Sequence, residues 1–431
     1  MPVRANKPAV RGIALMGIVA VSALLGFLGC RHAIAEHWAG SPNADQWLRA
    51  ARWEPNNAEN WYRLGRYRQL DFENPDLQQA ISYYQRATAI DPKTARYWLD
   101  LAEAYETAGS TARAEDAFRQ AQQVYPISAD VAWRSGNFLL RQGRQEEAFR
   151  QIHRAVSTNP KLAPVALSVC WRSTNDVDLI LRAALPADPE VDWAAIQFFV
   201  DPAQPDAAVA VWKRLLTEGS TFPIARTFPL LDMLIASGHA DETQAVWQQA
   251  LSVTGVTPAP GPPHSPIWDG GFEGALLNGG LAWRYQPSDG AQMDLDEETV
   301  HSGRRSLRVT FDGSQNVDFA NLWQYVVVQP NTHYRFSAYL RTEDLTTDRG
   351  VRFEISDANR PGNLDVLTPG ALGTQAWSLD ESAFTTGPAT RLLRIALRRT
   401  PSTMLANKIR GTAWVDDVSL AAEPQQSPAG R

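Results

Sequence analysis

The acidic residues and histidines are the side chains from which a catalytic or metal site could be built. A glycosidase needs two carboxylates that flank a cleft. Residues 270–420 contain scattered acids that no sequence context distinguishes: Asp294, Asp296, Glu297, Glu298, Glu354 and Asp357. The seven histidines show no pair at metal-ligand spacing, and we find no Ser-His-Asp order, nucleophile elbow or phosphate loop. We therefore predict that the chain is not an enzyme.

Cysteine content and charge exclude further classes. Cys30 lies in an apolar leader and Cys170 in a helical stretch, so neither a disulfide framework nor a cysteine metal site can be built. The net charge of −6 over 431 residues is modest, and no dense Lys/Arg block follows the leader. Nucleic acid is therefore not an expected partner. A composition of 44% hydrophobic and 20% charged residues is typical of a globular protein with two or three folded units.

A period of 34 residues organises the region 58–160. Pro92, Pro126 and Pro160 are separated by this interval. Other residues recur in the same register: Gly109 and Gly143, Ala114 and Ala148, Phe118 and Ile152, Ala121 and Ala155. Small residues let two helices approach closely, and each proline ends a helix because it lacks an N–H group. The repeating unit is therefore predicted to be helix, turn, helix, turn.

This pattern resembles the tetratricopeptide repeat (TPR). The middle copy matches at Trp98, Leu101, Tyr105, Ala114, Phe118, Ala121 and Pro126, with Ala102 in place of the usual glycine. The preceding copy has three extra residues around 71–75, and the third copy has Trp133 one place late. The resemblance implies an all-α superhelical solenoid over 42–255, with degenerate repeats on both sides of 58–160 and about five to six helical pairs.

The same resemblance implies a concave face built from the first helix of each repeat. Its register gives candidates for binding an extended peptide: Tyr62, Arg66, Gln69, Arg96, Glu103, Trp133 and Asn137. The carboxylate clamp of the family needs a lysine where this chain has Trp133, which argues against the binding of chaperone tails. Alternatively, Tyr62 and Trp133 pack within the solenoid and the charged side chains are solvated. Both interpretations stay open.

The pattern changes after a proline-rich segment. Five prolines within 256–267 predict a semi-rigid spacer. Beyond it, short alternating apolar runs are separated by turn residues: 307–311, 334–340, 351–355, 392–397 and 414–420. These runs indicate an all-β sandwich of about eight strands over 268–422, followed by a disordered tail at 423–431.

Five landmarks make this region similar to the carbohydrate-binding jelly rolls of the family 4/9 type: 269–273, 301–309, 334–342, Trp377 and 414–418. The resemblance implies a galactose-binding-like jelly roll. Aromatic faces suit the C–H side of a pyranose, and polar groups fix its hydroxyls. The candidates are Trp283, Tyr285, Trp323, Gln324 and Tyr325. Any of these tryptophans could instead pack in the core.

The jelly-roll resemblance also implies one metal site. In that family the junction of the two chain ends often holds a structural Ca²⁺, and here Glu273 and Asp417 lie at that junction. A capping or turn role for these two acids is the alternative. No other cofactor is expected.

Residues 1–35 are predicted to be a signal peptide or a membrane anchor. Basic residues precede an uncharged run at 12–29, a length at which signal peptides and spanning helices overlap. Three readings stay open: an uncleaved anchor, cleavage after Ala35, and lipidation of Cys30. Each sends the bulk of the chain out of the cytoplasm, to the periplasm or the cell surface.

Together these features predict a membrane-tethered extracytoplasmic adaptor. Its repeats would bind a protein partner, and its sandwich would bind a polysaccharide or glycan, as suits export or assembly of an exopolysaccharide or surface glycan. Two alternatives remain: a purely protein-interacting scaffold with the sandwich as a spacer, and a glycan-active hydrolase with an unrecognised site.

Overall fold

The computed structural model describes residues 7–41, 43–71, 75–257 and 265–423. An α solenoid of helices is followed by two antiparallel sheets, with a long apolar helix at the N-terminus. The helices are α1 Lys7–Ala39, α2 Ala44–Trp53, α3 Ala58–Leu70, α4 Leu77–Ile90, α5 Ala95–Thr107, α6 Thr111–Val124, α7 Ala129–Arg141, α8 Gln145–Thr158, α9 Ala163–Ser173, α10 Val177–Ala183, α11 Pro189–Val200, α12 Pro205–Thr217, α13 Phe228–Ala236 and α14 Ala240–Thr254. The strands are β1 Arg284–Tyr285, β2 Ala291–Asp296, β3 Ser306–Asp312, β4 Phe319–Val327, β5 His333–Leu345, β6 Arg352–Asp357, β7 Asp365–Leu367, β8 Gly373–Thr385, β9 Leu392–Arg399 and β10 Arg410–Glu423.

The chain forms two compact units, Met1–Pro186 and Ala187–Arg431. The first contains α1–α10, and the second contains α11–α14 together with all ten strands. The division therefore falls after Pro186 and not at the proline-rich segment. Residues 258–264 of the predicted spacer, 72–74 of the predicted insertion and 424–431 of the predicted tail lie outside the described residues.

Small residues set the spacing of the helices within the repeats. Ala80, Ala114 and Ala148 are fully buried where the second helix of each pair meets the first. A Cβ atom on Gly65 would lie only 2.6 Å from the ring of Tyr84, so α3 and α4 can pack this closely only with glycine there. The predicted role of the small positions is confirmed by this packing.

The repeat tryptophans make one recurrent hydrogen bond. The Nε1–H of Trp61 donates to the carbonyl of Pro55 at 3.0 Å, and that of Trp98 donates to the carbonyl of Pro92 at 2.9 Å. Each bond joins the start of a first helix to the proline turn that precedes it. The tryptophan and proline of the pattern thus act together, because the ring satisfies a carbonyl that the turn leaves unpaired.

Helix α1 continues beyond its apolar run and packs on the first helices of the solenoid. Arg31 Nε donates to the carbonyl of Trp53 at 2.8 Å, and the Trp38 and Trp53 rings meet edge to face at 5.7 Å. Ala35 is 1% exposed, and Arg63 donates to the carbonyl of Ala39 at 3.0 Å. Among the described residues, Gly12–Ala39 is the one helical stretch long and apolar enough to cross a membrane.

In the second unit, α13 and α14 pack directly against the sandwich. Gly279 lies against the Phe228 ring and Gly280 against the Trp247 ring, where any Cβ atom would overlap the aromatic carbons. The Trp247 and Trp268 rings also meet edge to face, with centroids 5.2 Å apart. These aromatic contacts join the last helical pair and the sandwich into one core.

Polar contacts reinforce that packing. Asn359 Nδ2 donates to the carbonyl of Ile235 at 2.7 Å, and Arg284 of β1 pairs with Asp232 of α13. Both contacts reach the sandwich from α13. The helices after Pro186 therefore belong structurally to the sandwich unit.

The sandwich has two five-stranded antiparallel sheets. Sheet A has the order β1-β4-β9-β6-β7, and sheet B has the order β2-β3-β10-β5-β8. Their inner faces enclose a core rich in phenylalanine: Phe311, Phe319, Phe336 and Phe353. The described residues form ten strands where about eight were predicted, and two of these, β1 and β7, are only two and three residues long.

Candidate functional site

The outer face of sheet A carries a polar cleft of about 510 Å³. Its lining comes from β4, β9 and β6, from the residue that follows β1 and from the residue that precedes β4: Gln286, Asp318, Ala320, Asn321, Trp323, Tyr325, Glu354, Arg394 and Arg398. Indole, phenol, carboxylate and guanidinium groups therefore share one surface.

Strand alternation explains why these side chains face outward. Along β4, Leu322, Gln324 and Val326 point into the core, so Trp323 and Tyr325 between them lie on the opposite face. Arg394 and Arg398 have the same outward phase on β9, where their neighbours are buried. The cleft thus follows from the register of two adjacent strands, in which Tyr325 lies opposite Arg394.

Two arginines of the cleft differ in their partners. Arg398 forms an ion pair with Glu354 at 3.2 Å and a second one with Asp318. Arg394 donates to the carbonyl of Ala320 at 3.1 Å, and its guanidinium lies 5.3 Å from the centre of the Trp323 ring. Within the described residues, Arg394 has no carboxylate partner.

The indole of Trp323 has an unsatisfied donor. Its Nε1 atom is buried and has no hydrogen-bond acceptor in the part of the chain that the structure describes. A buried donor without an acceptor costs about 1–3 kcal/mol. A ligand oxygen that reached this atom would remove that cost.

Trp283 and Gln324 were wrong predictions for the sugar site. Trp283 is 1% exposed, its ring stacks on Phe272 at 5.2 Å, and its Nε1–H donates to the carbonyl of Asp269 at 3.1 Å. Gln324 is fully buried and bonds to both the N–H and the carbonyl of Trp268, each at 2.9 Å. Both side chains build the core and are closed to a ligand.

The other three candidates lie at the surface of sheet A. Trp323 and Tyr325 come together in the cleft, whereas Tyr285 is 38% exposed on β1, outside the cleft lining. Arg394, Arg398 and Asp318 were missed. The outward arginines at every fourth residue of a predicted strand were the signal that could have found two of them.

A second cavity, of about 600 Å³, lies on the first helices of the solenoid. It contains three of the predicted groove residues, Tyr62, Arg66 and Arg96. Trp47 and Leu70 add apolar wall. Aromatic, aliphatic and guanidinium groups thus share this cavity with the carboxylates of Glu59 and Asp71.

Tyr62 lines this cavity and also joins two helices of the solenoid. It is buried, and its hydroxyl donates to Asp100 Oδ2 at 2.7 Å. Burial first, and then this hydrogen bond, raises the pKa of Tyr62 well above its ordinary value. Arg66 lies 3.9 Å from the same carboxylate and is largely exposed. Of these two residues, Arg66 is therefore the one open to a partner.

The remaining groove candidates lie outside that cavity and have partners within the repeats. Gln69 accepts from the Tyr84 hydroxyl at 2.7 Å, Glu103 accepts from Arg134 at 2.5 Å, and Asn137 donates to the carbonyl of Trp133 at 2.9 Å. Arg96, which lies in the cavity, pairs with Glu59. Such bonds tie one first helix to the next, to the second helix of its own repeat, or to the preceding turn of the same helix.

Glu273 and Asp417 are held by hydrogen-bond donors. Glu273 accepts from the backbone N–H groups of Arg304 and Arg305 at 2.6 and 3.1 Å. Asp417 faces His301 Nδ1 at 2.6 Å and accepts from the Ser302 hydroxyl at 2.8 Å. Within the described residues, no group of three or more His, Cys, Asp or Glu side chains is placed to hold a metal ion. The structural calcium ion at Glu273 and Asp417 therefore stays a prediction.

Comparison with known proteins identifies the repeats. The tetratricopeptide repeat model matches residues 69–126 and 99–163, so the chain contains TPRs. A comparison with curated proteins found no match.

Several solved structures are similar to parts of the chain. YrrB, described as a TPR protein with an unusual peptide-binding site, is 14% identical with a TM-score of 0.26 and covers 49% of this chain and 93% of its own. The CBM22-1 xylan-binding domain from Paenibacillus barcinonensis Xyn10C is 17% identical with a TM-score of 0.25 and covers 35% of this chain and 90% of its own. A family 16 carbohydrate-binding module is 19% identical with a TM-score of 0.26 and covers 36% of this chain and 99% of its own. The specific carbohydrate-binding family is not confirmed by these matches.

Proposed function

We propose that this chain, which carries tetratricopeptide repeats in its helical part, is a non-catalytic adaptor that binds a protein through its repeats and a polysaccharide through its sandwich. The cleft on the outer face of sheet A carries the proposal. It combines a buried, unpaired indole N–H with carboxylates and guanidinium groups on rigid strands. Sugar hydroxyls both donate and accept hydrogen bonds, so a mixed set of this kind suits them.

Affinity electrophoresis of the full-length chain in detergent tests the sugar-binding half. Gels would contain xylan, galactomannan, polygalacturonate or hyaluronate. We expect at least one polymer to retard the wild type and the Trp323→Ala variant to bind about fivefold more weakly, because it loses the indole donor.

Trp377→Ala is the matched control, since Trp377 lies on β8 of sheet B. It should be retarded like the wild type. If no polymer retards the wild type, the sandwich is a spacer and the chain is a protein scaffold. If the Trp377 variant alone loses binding, the site lies on sheet B instead.

The cavity on the first helices supports a protein partner. Its exposed Arg66 and its apolar wall of Trp47 and Leu70 offer both a charge and a contact surface for a peptide. Export or assembly of a surface glycan would use such a pairing, since one module holds the polymer and the other holds a component of the machinery.

We also propose that α1 stays attached as a membrane anchor. The predicted cleavage motif is helical, and Ala35 is buried where α1 packs on the following helices. The apolar run of 18 residues would span about 27 Å as a helix. Helix α1 would then continue to Ala39, almost three turns beyond the bilayer core, and would carry the solenoid outside the cytoplasm.

Mass spectrometry of the protein purified from membranes tests this anchor. We expect an intact N-terminus and resistance to carbonate extraction, because the helix is retained. A mature N-terminus at Glu36, released into the soluble fraction, would show a cleaved signal peptide instead.

A further inference from the structure

The rings on the outer face of sheet A are covered by arginines. The Arg394 guanidinium lies 5.3 Å from the centre of the Trp323 ring, and the Arg284 guanidinium lies 5.2 Å from that of Tyr325. Trp323 and Tyr325 both line the cleft, and because an arginine lies over each ring, neither offers an open apolar face to a pyranose ring. The cleft therefore presents donors and charges to a ligand.

One arginine of the cleft is left without a carboxylate partner, because both acids of the lining pair with the other. Arg398 already pairs with both Asp318 and Glu354. Arg352 lies opposite Arg398 across β6 and β9, on the same outward phase. Arg394 has no ion-pair partner within the described ranges, whereas Arg352 favours the ionised form of Asp380. The Arg394 guanidinium thus faces outward in the cleft without a carboxylate partner.

We infer that the ligand is an anionic, uronic acid-containing polysaccharide, whose carboxylate binds Arg394. This inference rests on the proposed function of the same cleft. A guanidinium presents paired donors that match the two oxygens of a carboxylate. The unsatisfied Trp323 Nε1 lies beside Arg394 and would donate to the same sugar.

The acids of the cleft favour a polysaccharide over an acidic peptide. Asp318 and Glu354 lie at the same surface and accept hydrogen bonds. The hydroxyls of a uronate polymer can donate to them, whereas the side chains of an acidic peptide carry carboxylates and no hydroxyl donors.

A matched pair of polymers tests the inference on the full-length chain in detergent. Polygalacturonate is compared with the same polymer after chemical reduction of its carboxyl groups, which leaves a neutral chain. We expect the charged form to bind at least about tenfold more tightly, and this preference to fall as NaCl rises from about 50 to about 500 mM. Poly-glutamate serves as the peptide arm and should bind weakly.

Arg394→Gln should lower binding of polygalacturonate about tenfold and leave binding of the reduced polymer unchanged. Arg341→Gln is its control, because Arg341 lies over Trp414 on sheet B at a similar distance of 5.5 Å. It should leave both affinities within about twofold. If the Arg394 variant is unstable, the comparison of the charged and the reduced polymer on the wild-type protein still tests the inference.

Three results would overturn the inference. Equal binding of charged and reduced polymers would leave the proposed carbohydrate-binding function intact and remove the preference for an anion. Tighter binding of poly-glutamate than of polygalacturonate would make the ligand a peptide. Failure of every polymer to bind would remove both the inference and the function on which it rests.

Discussion

A fragment that lacks α11–α14 is expected to be less stable than the whole second unit by about 5 kcal/mol, because each lost aromatic contact is worth about 1.5–3 kcal/mol. Its sandwich would expose Gly279, Gly280 and Trp268, which the rings of Phe228 and Trp247 now cover. Arg284 would also lose Asp232. A loss of about 5 kcal/mol is a large part of the free energy of unfolding of an ordinary domain.

Urea unfolding of fragments 187–423 and 265–423 measures this difference. The longer fragment should unfold at a clearly higher urea concentration, and the shorter one should aggregate or bind a hydrophobic dye. Phe228→Ala in the longer fragment removes one of these contacts alone, and because Phe228 is half-buried we expect it to lose about 1.5–3 kcal/mol. Equal midpoints for both fragments would contradict the packing described for α13 and α14.

Replacement of Gly270 by alanine is expected to destabilise the sandwich by about 3 kcal/mol or more. A Cβ atom there would overlap the carbonyl oxygen of Val418, a backbone atom that cannot rotate away. The N–H of Val418 also donates to the carbonyl of Gly270 at 2.9 Å. The two ends of the sandwich sequence are thus joined through this glycine.

Gly271→Ala is the matched control for that substitution. The nearest atoms to its added methyl group lie at 3.7 and 3.8 Å, which is ordinary van der Waals contact. Thermal melts of the second unit should place Gly270→Ala roughly 6–12 °C below Gly271→Ala. Melting of the two variants within about 2 °C of each other would contradict the predicted overlap.

The repeats could be predicted from sequence because their period reflects packing. Buried small residues such as Ala114 and Ala148 and the proline turns recur at the interval that one helical pair occupies. The helical stretches on both sides of the clear repeats were also predicted. The division at Pro186 could not be predicted, because it depends on contacts between α13, α14 and the sandwich that no local composition records.

The sandwich was predicted where its strands alternate. β3, β5 and β6 alternate between buried and more exposed residues, which the sequence shows directly. β9 and β10 were found as apolar runs, because consecutive residues in them are buried. β4 was missed because Trp323 and Tyr325 make its outer face aromatic, and β8 because most of its residues are exposed. Trp283 could not be assigned to the core from sequence. A tryptophan near a turn has the same sequence context whether it packs in the core or binds a sugar at the surface.

Hydrogen exchange of the full-length chain, with and without a retained polysaccharide, tests the central claim most directly. We predict slower exchange in peptides from β4 and β9, the strands that carry Trp323 and Arg394, and unchanged exchange in β8 of sheet B. Protection confined to sheet B or to the repeats, with β4 and β9 unchanged, would contradict the assignment of the cleft on sheet A as the carbohydrate-binding surface.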